Sequence, residues 1–359
     1  MIAVPASAAD ITADWLRAAA PELCGVTSVT AERLGEGVGM MTELHRLRLD
    51  YGDGNPGPRT LVVKQQAATE GLRDVANAYR LYEREVLFYR EIAKTISLAS
   101  PRCYIATFDP ETQAFILVME DLNRTTPGDQ VAGLTPGQVK VAVEQVGALH
   151  ARWWDRSELK GLVDKVQPFG VPPFCEFNAR HSSGWETFDA WLAGRVSPEL
   201  RRVGARMCTE LDRLTDDMAK EPRTICHGDF RADNLMFTGG DGAAPGLTCV
   251  DWQLAMQARG PFDIGYMMSG SVNADVRREC EMPLLKAYHD KLLAAGVQNY
   301  GFDECLYDYR RALLIGLTYL SQSGAVADLT HPRTEAMYDT SMKRIDDALH
   351  DHGLAEFVA

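Results

Sequence analysis

The chain has 359 residues, 46% of them hydrophobic and 24% charged, with a net charge of −13 and a pI of about 5.1. A chain of this length buries a large core without disulfides or structural metal. Its acidity excludes nucleic acid as the main partner, because phosphate backbones are held by clustered Lys and Arg, and it favours solubility and a cationic small molecule.

The first residues, MIAVPASAADITADWL, lack the basic and apolar runs of a signal peptide. Residues 10–20 read as a short helix capped by Asp10 or Thr12. Residues 26–34 read as a strand that runs into Gly35-Glu36-Gly37-Val38-Gly39. Residues 44–51 alternate, with Leu47, Leu49 and Tyr51 on one face and Arg46, Arg48 and Asp50 on the other. A Gly- and Pro-rich turn follows, and then an apolar strand, Thr60-Leu61-Val62-Val63-Lys64.

Residues 75–96 read as one long helix, with Tyr82, Val86, Tyr89 and Ile96 near helical spacing. Phe115-Ile116-Leu117-Val118-Met119 reads as a buried strand stopping at Glu120-Asp121. Beyond it the pattern is helical: 136–154, a Pro- and aromatic-rich stretch over 168–191, then helices to about 219. A β inset over 234–237 and 247–251 interrupts them, and helices resume near 262. The expected fold class is α+β, with an antiparallel-sheet lobe over 1–121 and a mostly helical lobe over 122–359. A cleft between two such lobes is where a ligand is expected.

Eight cysteines are scattered without a CxxC pair, so they read as reduced thiols rather than zinc ligands. No apolar run approaches the 18 residues of a membrane span, so no membrane partner and a cytoplasmic location are expected.

The segment that carries chemistry is Ile225-Cys226-His227-Gly228-Asp229-Phe230-Arg231-Ala232-Asp233-Asn234-Leu235-Met236-Phe237. It contains H-x-D-x-x-x-x-N, the spacing of a kinase catalytic loop. Phosphoryl transfer needs a carboxylate to orient a hydroxyl and take its proton, and an oxygen ligand for Mg²⁺ nearby. Asp229 fits the first task and Asn234 the second, with His227 bracing the loop. The plainer alternative is a turn in which Asp and Asn satisfy backbone groups. Asp251, 17 residues after Asn234, ends the strand Thr248-Cys249-Val250 and is expected as the main metal carboxylate.

Upstream, Lys64 ends a buried strand and either reaches solvent or contacts phosphates. Glu85 lies on the apolar stripe between Tyr82 and Tyr89, so it needs a cationic partner, and Lys64 is the natural one; Glu83 and Glu91 point further away. Gly35, Gly37 and Gly39 between two strands offer backbone N–H groups to phosphates, although Gly-rich turns occur without ligands. By position, Met119, Glu120, Asp121 and Leu122 form the adenine-binding hinge.

This order of Gly loop, strand Lys, helix Glu, HGDFRADNLMF and VDWQ resembles the aminoglycoside phosphotransferase and choline kinase superfamily. Glu85-Val86-Leu87-Phe88-Tyr89, Met119-Glu120-Asp121-Leu122, Ala148-Leu149-His150-Ala151 and Asp251-Trp252-Gln253 are similar to its ecdysteroid-kinase-like branch. The resemblance implies a two-lobed protein-kinase-like fold, ATP and Mg²⁺ as cofactors, and transfer of the γ-phosphate to a small-molecule hydroxyl. It makes Asp229 the base, Asn234 and Asp251 metal ligands, and Lys64 with Glu85 the phosphate-positioning pair; Asp263 is expected to cap a helix and support the loop. Trp252-Gln253 replaces the Phe-Gly of protein kinases and no Ala-Pro-Glu follows, which disfavours protein substrates.

A nucleotide-binding pseudokinase would lack at least one of Lys64, Asp229, Asn234 and Asp251, and all four are present. The acceptor stays open among bulky apolar or steroid-like alcohols, aminoglycosides, choline or ethanolamine, and sugars; the oligomeric state is not legible. Two aromatic groups are candidates for the acceptor wall: Phe174, Phe177, Trp185, Phe188 and Trp191, and Tyr288, Tyr307, Tyr309 and Tyr319.

Overall fold

The alternation over residues 44–51 becomes a strand with one buried face. Leu47 and Leu49 enter the core, while Arg48 bonds Glu32 and Arg46 bonds Asp121 on the other face. The computed structural model describes residues 3–34, 41–52, 57–171, 177–239, 246–325 and 327–359. The Gly35, Gly37 and Gly39 segment lies outside the described residues. The chain divides into two compact units, Met1–Thr95 with Ser100–Arg124, and Ile96–Ala99 with Thr125–Ala359.

The first unit opens with α1 (Ala13–Ala19), whose N-cap is Thr12: its Oγ1 accepts from the Trp15 N–H at 3.2 Å. Strands β1 (Val26–Arg33), β2 (Thr42–Tyr51) and β3 (Thr60–Gln66) follow. The single helix expected over 75–96 is instead two, α2 (Glu70–Ala78) and α3 (Leu81–Leu87), the second continuing into a wider π turn over Phe88–Ile92. The break is at Arg80, left-handed at φ 54°, whose N–H closes α2 on the Asn77 carbonyl. Contacts beyond the break outweigh the cost of that residue. The Tyr82 hydroxyl donates to the Met41 carbonyl at 2.8 Å and accepts from the Ala67 N–H at 3.0 Å, and its ring stacks on Phe115.

Strands β4 (Cys103–Phe108) and β5 (Phe115–Glu120) complete an antiparallel sheet of order β1-β2-β3-β5-β4. Its core joins Leu16, Val26, Leu47, Leu61, Val63, Ile116 and Val118. Lys64 sits in central β3, paired with Leu44 and Leu117.

The second unit begins with β6 (Thr126–Pro127) and α4 (Pro136–Trp153), the latter started by a capping box between Thr135 and Gln138. The stretch read as merely Pro- and aromatic-rich contains α5 (Phe177–Leu192), whose Trp185 and Phe188 are three residues apart and both buried. Helix α6 (Pro198–Ala219) precedes β7 (Thr224–Cys226), β8 (Leu235–Thr238), β9 (Gly246–Cys249) and β10 (Met256–Ala258). These strands form two small sheets, β6-β8-β9 and β7-β10.

Helices α7 (Pro261–Ser271), α8 (Ala274–Ala294), α9 (Phe302–Gly324) and α10 (Pro332–His352) follow, and a short 3-10 helix over Leu354–Val358 comes after them. Every residue of α7 is buried. It packs tightly on α9: a Cβ at Gly265 would lie 2.5 Å from the Ala312 Cβ, so only glycine permits that approach. Among the described residues the cysteines are free, and no helix is long and apolar enough to cross a membrane.

Candidate active site

The loop between β7 and β8 carries the H-x-D-x-x-x-x-N residues, and its shape comes from beneath. Asp263, in the first turn of α7, is fully buried. One of its oxygens accepts from the His227 N–H at 2.7 Å and the other from the Gly228 N–H at 3.0 Å. His150 Nε2 lies 3.2 Å from the same carboxylate, and its Nδ1 lies 3.1 Å from the Tyr288 hydroxyl. Asp263 therefore braces the loop as expected, but it does not cap the helix, because Gly260 holds the N-cap position.

The nearby Cys226 thiol is pushed well up by burial and by the Asp263 charge, so it stays protonated. Gly228 has φ +83°, and a Cβ there would meet the Leu254 carbonyl oxygen at 2.1 Å.

His227 links the loop to the neighbouring hairpin. Its Nε2 lies 3.0 Å from the Val250 carbonyl and its Nδ1 accepts from the Asp229 N–H at 3.3 Å. One donor and one acceptor describe a neutral imidazole. Its ring packs on the buried Trp252 at 4.5 Å.

Asp229 is thereby held with its carboxylate among three donors. Oδ1 accepts from the Tyr266 hydroxyl at 2.9 Å; Oδ2 accepts from Asn234 Nδ2 at 2.9 Å and Arg231 Nε at 3.3 Å. Asn234 Nδ2 also donates to the Asp229 carbonyl at 2.9 Å. With the amide nitrogen donating to Asp229, the Oδ1 is the remaining polar atom of the Asn234 amide.

Leu235 pairs with Cys249, and the Val250 N–H reaches the Asn234 carbonyl at 3.0 Å, so Asn234 and Asp251 lie at adjoining ends of one hairpin. Asp251 itself is left-handed, φ 65° and ψ 65°, with Gln253 Nε2 donating to its Oδ2 at 3.3 Å. An amide oxygen and a carboxylate brought together this way form a hard-oxygen donor set that fits Mg²⁺.

Two neighbours of Asp229 escaped the sequence reading. Tyr266 is buried, and burial together with the Asp229 charge pushes its phenol well above the usual range, so it remains a neutral donor. The available signal was its place three residues after Asp263, on the same side of α7. Arg231 lies inside the motif. Burial acts to lower its pKa, but the charges of Asp229 and Asp233 outweigh this and hold it raised, hence cationic. Its Nη1 donates to Asp233 Oδ2 at 3.0 Å.

In the first unit, Lys64 Nζ lies 2.9 Å and 2.8 Å from the two oxygens of Glu85, with both side chains buried. Glu83 instead pairs with Arg80. Met119 and Glu120 end β5, and Asp121 receives two hydrogen bonds from Arg46, at 2.7 Å and 3.3 Å.

Most of the proposed acceptor aromatics are elsewhere. Trp185 and Phe188 are core residues, Tyr288 holds His150, Tyr309 donates to Glu281, and Tyr307 packs on Phe357. Tyr319 touches a neighbour of Asp229, its ring 5.0 Å from that of Tyr266. Trp191 stacks on Phe188. Phe174 and the Phe177 side chain lie outside the described residues.

A sheet-bearing first unit with a buried Lys–Glu pair, and a helical second unit presenting Asp229 beside Asn234, define a kinase-like phosphotransferase. The sequence profile of the ecdysteroid kinase-like family matches residues 36–298, and the chain belongs to that family of small-molecule kinases, as the motifs indicated.

Solved structures agree on the fold. A putative aminoglycoside phosphotransferase from Ralstonia eutropha matches with a TM-score of 0.54 at 19% identity, covering 94% of this chain and 97% of its own. Plasmodium vivax ethanolamine kinase matches at 0.55 and 10%, covering 91% and 82%. A microcompartment-associated aminopropanol kinase matches at 0.56 and 12%, covering 91% and 94%. A search of curated proteins finds no match.

Proposed function

We propose that the protein transfers the γ-phosphate of ATP to the hydroxyl of a bulky, largely apolar alcohol, steroid-like in size. Asp229 accepts the proton of that hydroxyl and orients it. Asn234 Oδ1 and the Asp251 carboxylate would hold Mg²⁺, whose charge, when bound, offsets that of the phosphate oxygens. Lys64 contacts the nucleotide phosphates and Glu85 fixes its position. The backbone of residues 119–122 binds adenine, and Gly35, Gly37 and Gly39 cover the phosphates. Residues 1–121 thus serve the nucleotide and 122–359 the acceptor, in a protein working in the cytoplasm.

The observation that carries this reading is Asp229 held by Tyr266, Asn234 and Arg231 on a loop whose backbone is braced by Asp263. Tyr266 and Tyr319 beside the base support an apolar acceptor. The names of the structural relatives, aminoglycoside, ethanolamine and aminopropanol, support the other reading, an amino-bearing alcohol.

The test is an ADP-release screen of the purified protein with ATP and Mg²⁺ against sterols, alkyl alcohols, sugars, amino alcohols and aminoglycosides. Release stimulated by hydrophobic alcohols supports the proposal. Release stimulated only by amino-bearing acceptors replaces it.

A further inference from the structure

We infer that Arg231 is a specificity-determining residue that confines the acceptor to alcohols with no ammonium group beside the reacting hydroxyl. The inference rests on the phosphotransfer reading above and narrows its substrate class.

Most of the carboxylates around the base face a guanidinium. Asp229 and Asp233 share the Arg231 guanidinium, at 3.3 Å and 3.0 Å. Arg333 lies 3.8 Å from Asp129 and 4.0 Å from Asp233. Asp129 is held below the usual carboxylate range first by the Ala132 and Val131 N–H groups, to which the Arg333 and Arg344 charges add, while the hydrogen bonds of Arg344 go to the Gln130, Val131 and Gly270 carbonyls and to Asn273. Asp229, Asp233 and Asp129 thus face Arg231, Arg333 and Arg344, while a fourth carboxylate, Asp251, also acts on Arg231 by its charge and is the one assigned above to the metal.

Further out, Glu335 and Asp339 of α10 are taken by Arg195, and Asp339 also by Lys343. The chain's charge of −13 is therefore not gathered at Asp229. Among the described residues, the other side chains that hydrogen-bond the Asp229 carboxylate are neutral, Asn234 and Tyr266, with Tyr319 behind Tyr266.

A hydroxyl that donates to Asp229 brings its neighbouring carbon within a few ångströms of Arg231. An ammonium on that carbon meets a like charge in a partly buried, weakly screened place. It pairs with Asp229 only by displacing Arg231, which strands the guanidinium instead. An uncharged substituent meets neither penalty. At neutral pH an alkyl amine is protonated, so the distinction is one of full charge.

The experiment compares ADP release from ATP and Mg²⁺ at pH 7 with matched acceptors: cyclohexanol against 2-aminocyclohexanol, and a 3-hydroxysteroid against its 2-amino derivative. The wild type is expected to favour the uncharged partner in kcat/KM by about tenfold or more. Arg231→Gln is expected to shrink that ratio at least about fivefold, whereas Arg231→Lys, which keeps the charge, keeps it.

A wild-type ratio at or below one, or the same ratio in wild type and Arg231→Gln, overturns the inference. Should Arg231→Gln fail to fold, the wild-type ratio decides alone. No ADP release with any of the four alcohols overturns the phosphotransfer reading and this inference with it. Release with an unchanged ratio overturns this inference only.

Discussion

Glu85 in the first unit and Asp229 in the second are both buried carboxylates, and the two are satisfied in opposite ways. Glu85 lies against a full cation, with Lys64 Nζ within 2.9 Å of both its oxygens. Asp229 has two neutral donors and part of a guanidinium that it shares with Asp233. A closed ion pair positions a lysine and resists disturbance. An acceptor that keeps a lone pair on Oδ1 beside Tyr266 has room for one more hydroxyl. The difference separates a residue that holds from a residue that reacts.

Substitutions at Asp251, Lys64 and Tyr266 test that contrast, in decreasing order of effect. Asp251→Ala removes the only full charge proposed for the metal, so Mg²⁺-dependent turnover should vanish. A normal Mg²⁺ titration of kcat would rule Asp251 out as a ligand. Lys64→Met leaves Glu85 buried without its cation and should cost about 3–5 kcal/mol of stability. Adding Glu85→Leu should recover much of that loss in chemical denaturation, while activity stays low. If the double variant is as unstable as the single one, the pair is not the closed couple described here.

Tyr266→Phe keeps the ring and deletes one hydrogen bond to a charged carboxylate, worth about 1.5–3 kcal/mol. Tyr266 acts through Asp229, so kcat should fall about tenfold or somewhat more while KM for ATP stays within about twofold. A rise in KM for ATP with kcat unchanged would place Tyr266 in nucleotide binding instead.

The sequence made the local features legible and missed those that depend on long-range packing. Asp229 and Asn234 share one loop, and a hairpin register brings Asp251 alongside, so spacing and strand pattern suffice to bring them together. Lys64 and Glu85 were legible because a charge on an apolar stripe demands a partner.

Tyr266 lies 37 residues from Asp229 on a helix buried on all sides, where no periodicity singles out a face. The break at Arg80 carries no Gly or Pro, since tertiary contacts of Tyr82 impose it. The acceptor aromatics misled for the same reason. Trp185, Phe188 and Tyr309 have the spacing of a wall but the burial of a core, and spacing alone does not separate the two.

The central claim is that Asp229 directs a phosphoryl group onto an alcohol, and Asp229→Asn bears on it directly. Wild type and Asp229→Asn are each given [γ-³²P]ATP, Mg²⁺ and a hydrophobic alcohol that stimulates ADP release, and the labelled products are separated. The account predicts a labelled phosphomonoester from the wild type, a rate lower by about 10²–10⁴-fold from the variant, and equal ATP affinity in both. Label appearing only as inorganic phosphate, or ester formed equally fast by both proteins, would contradict it.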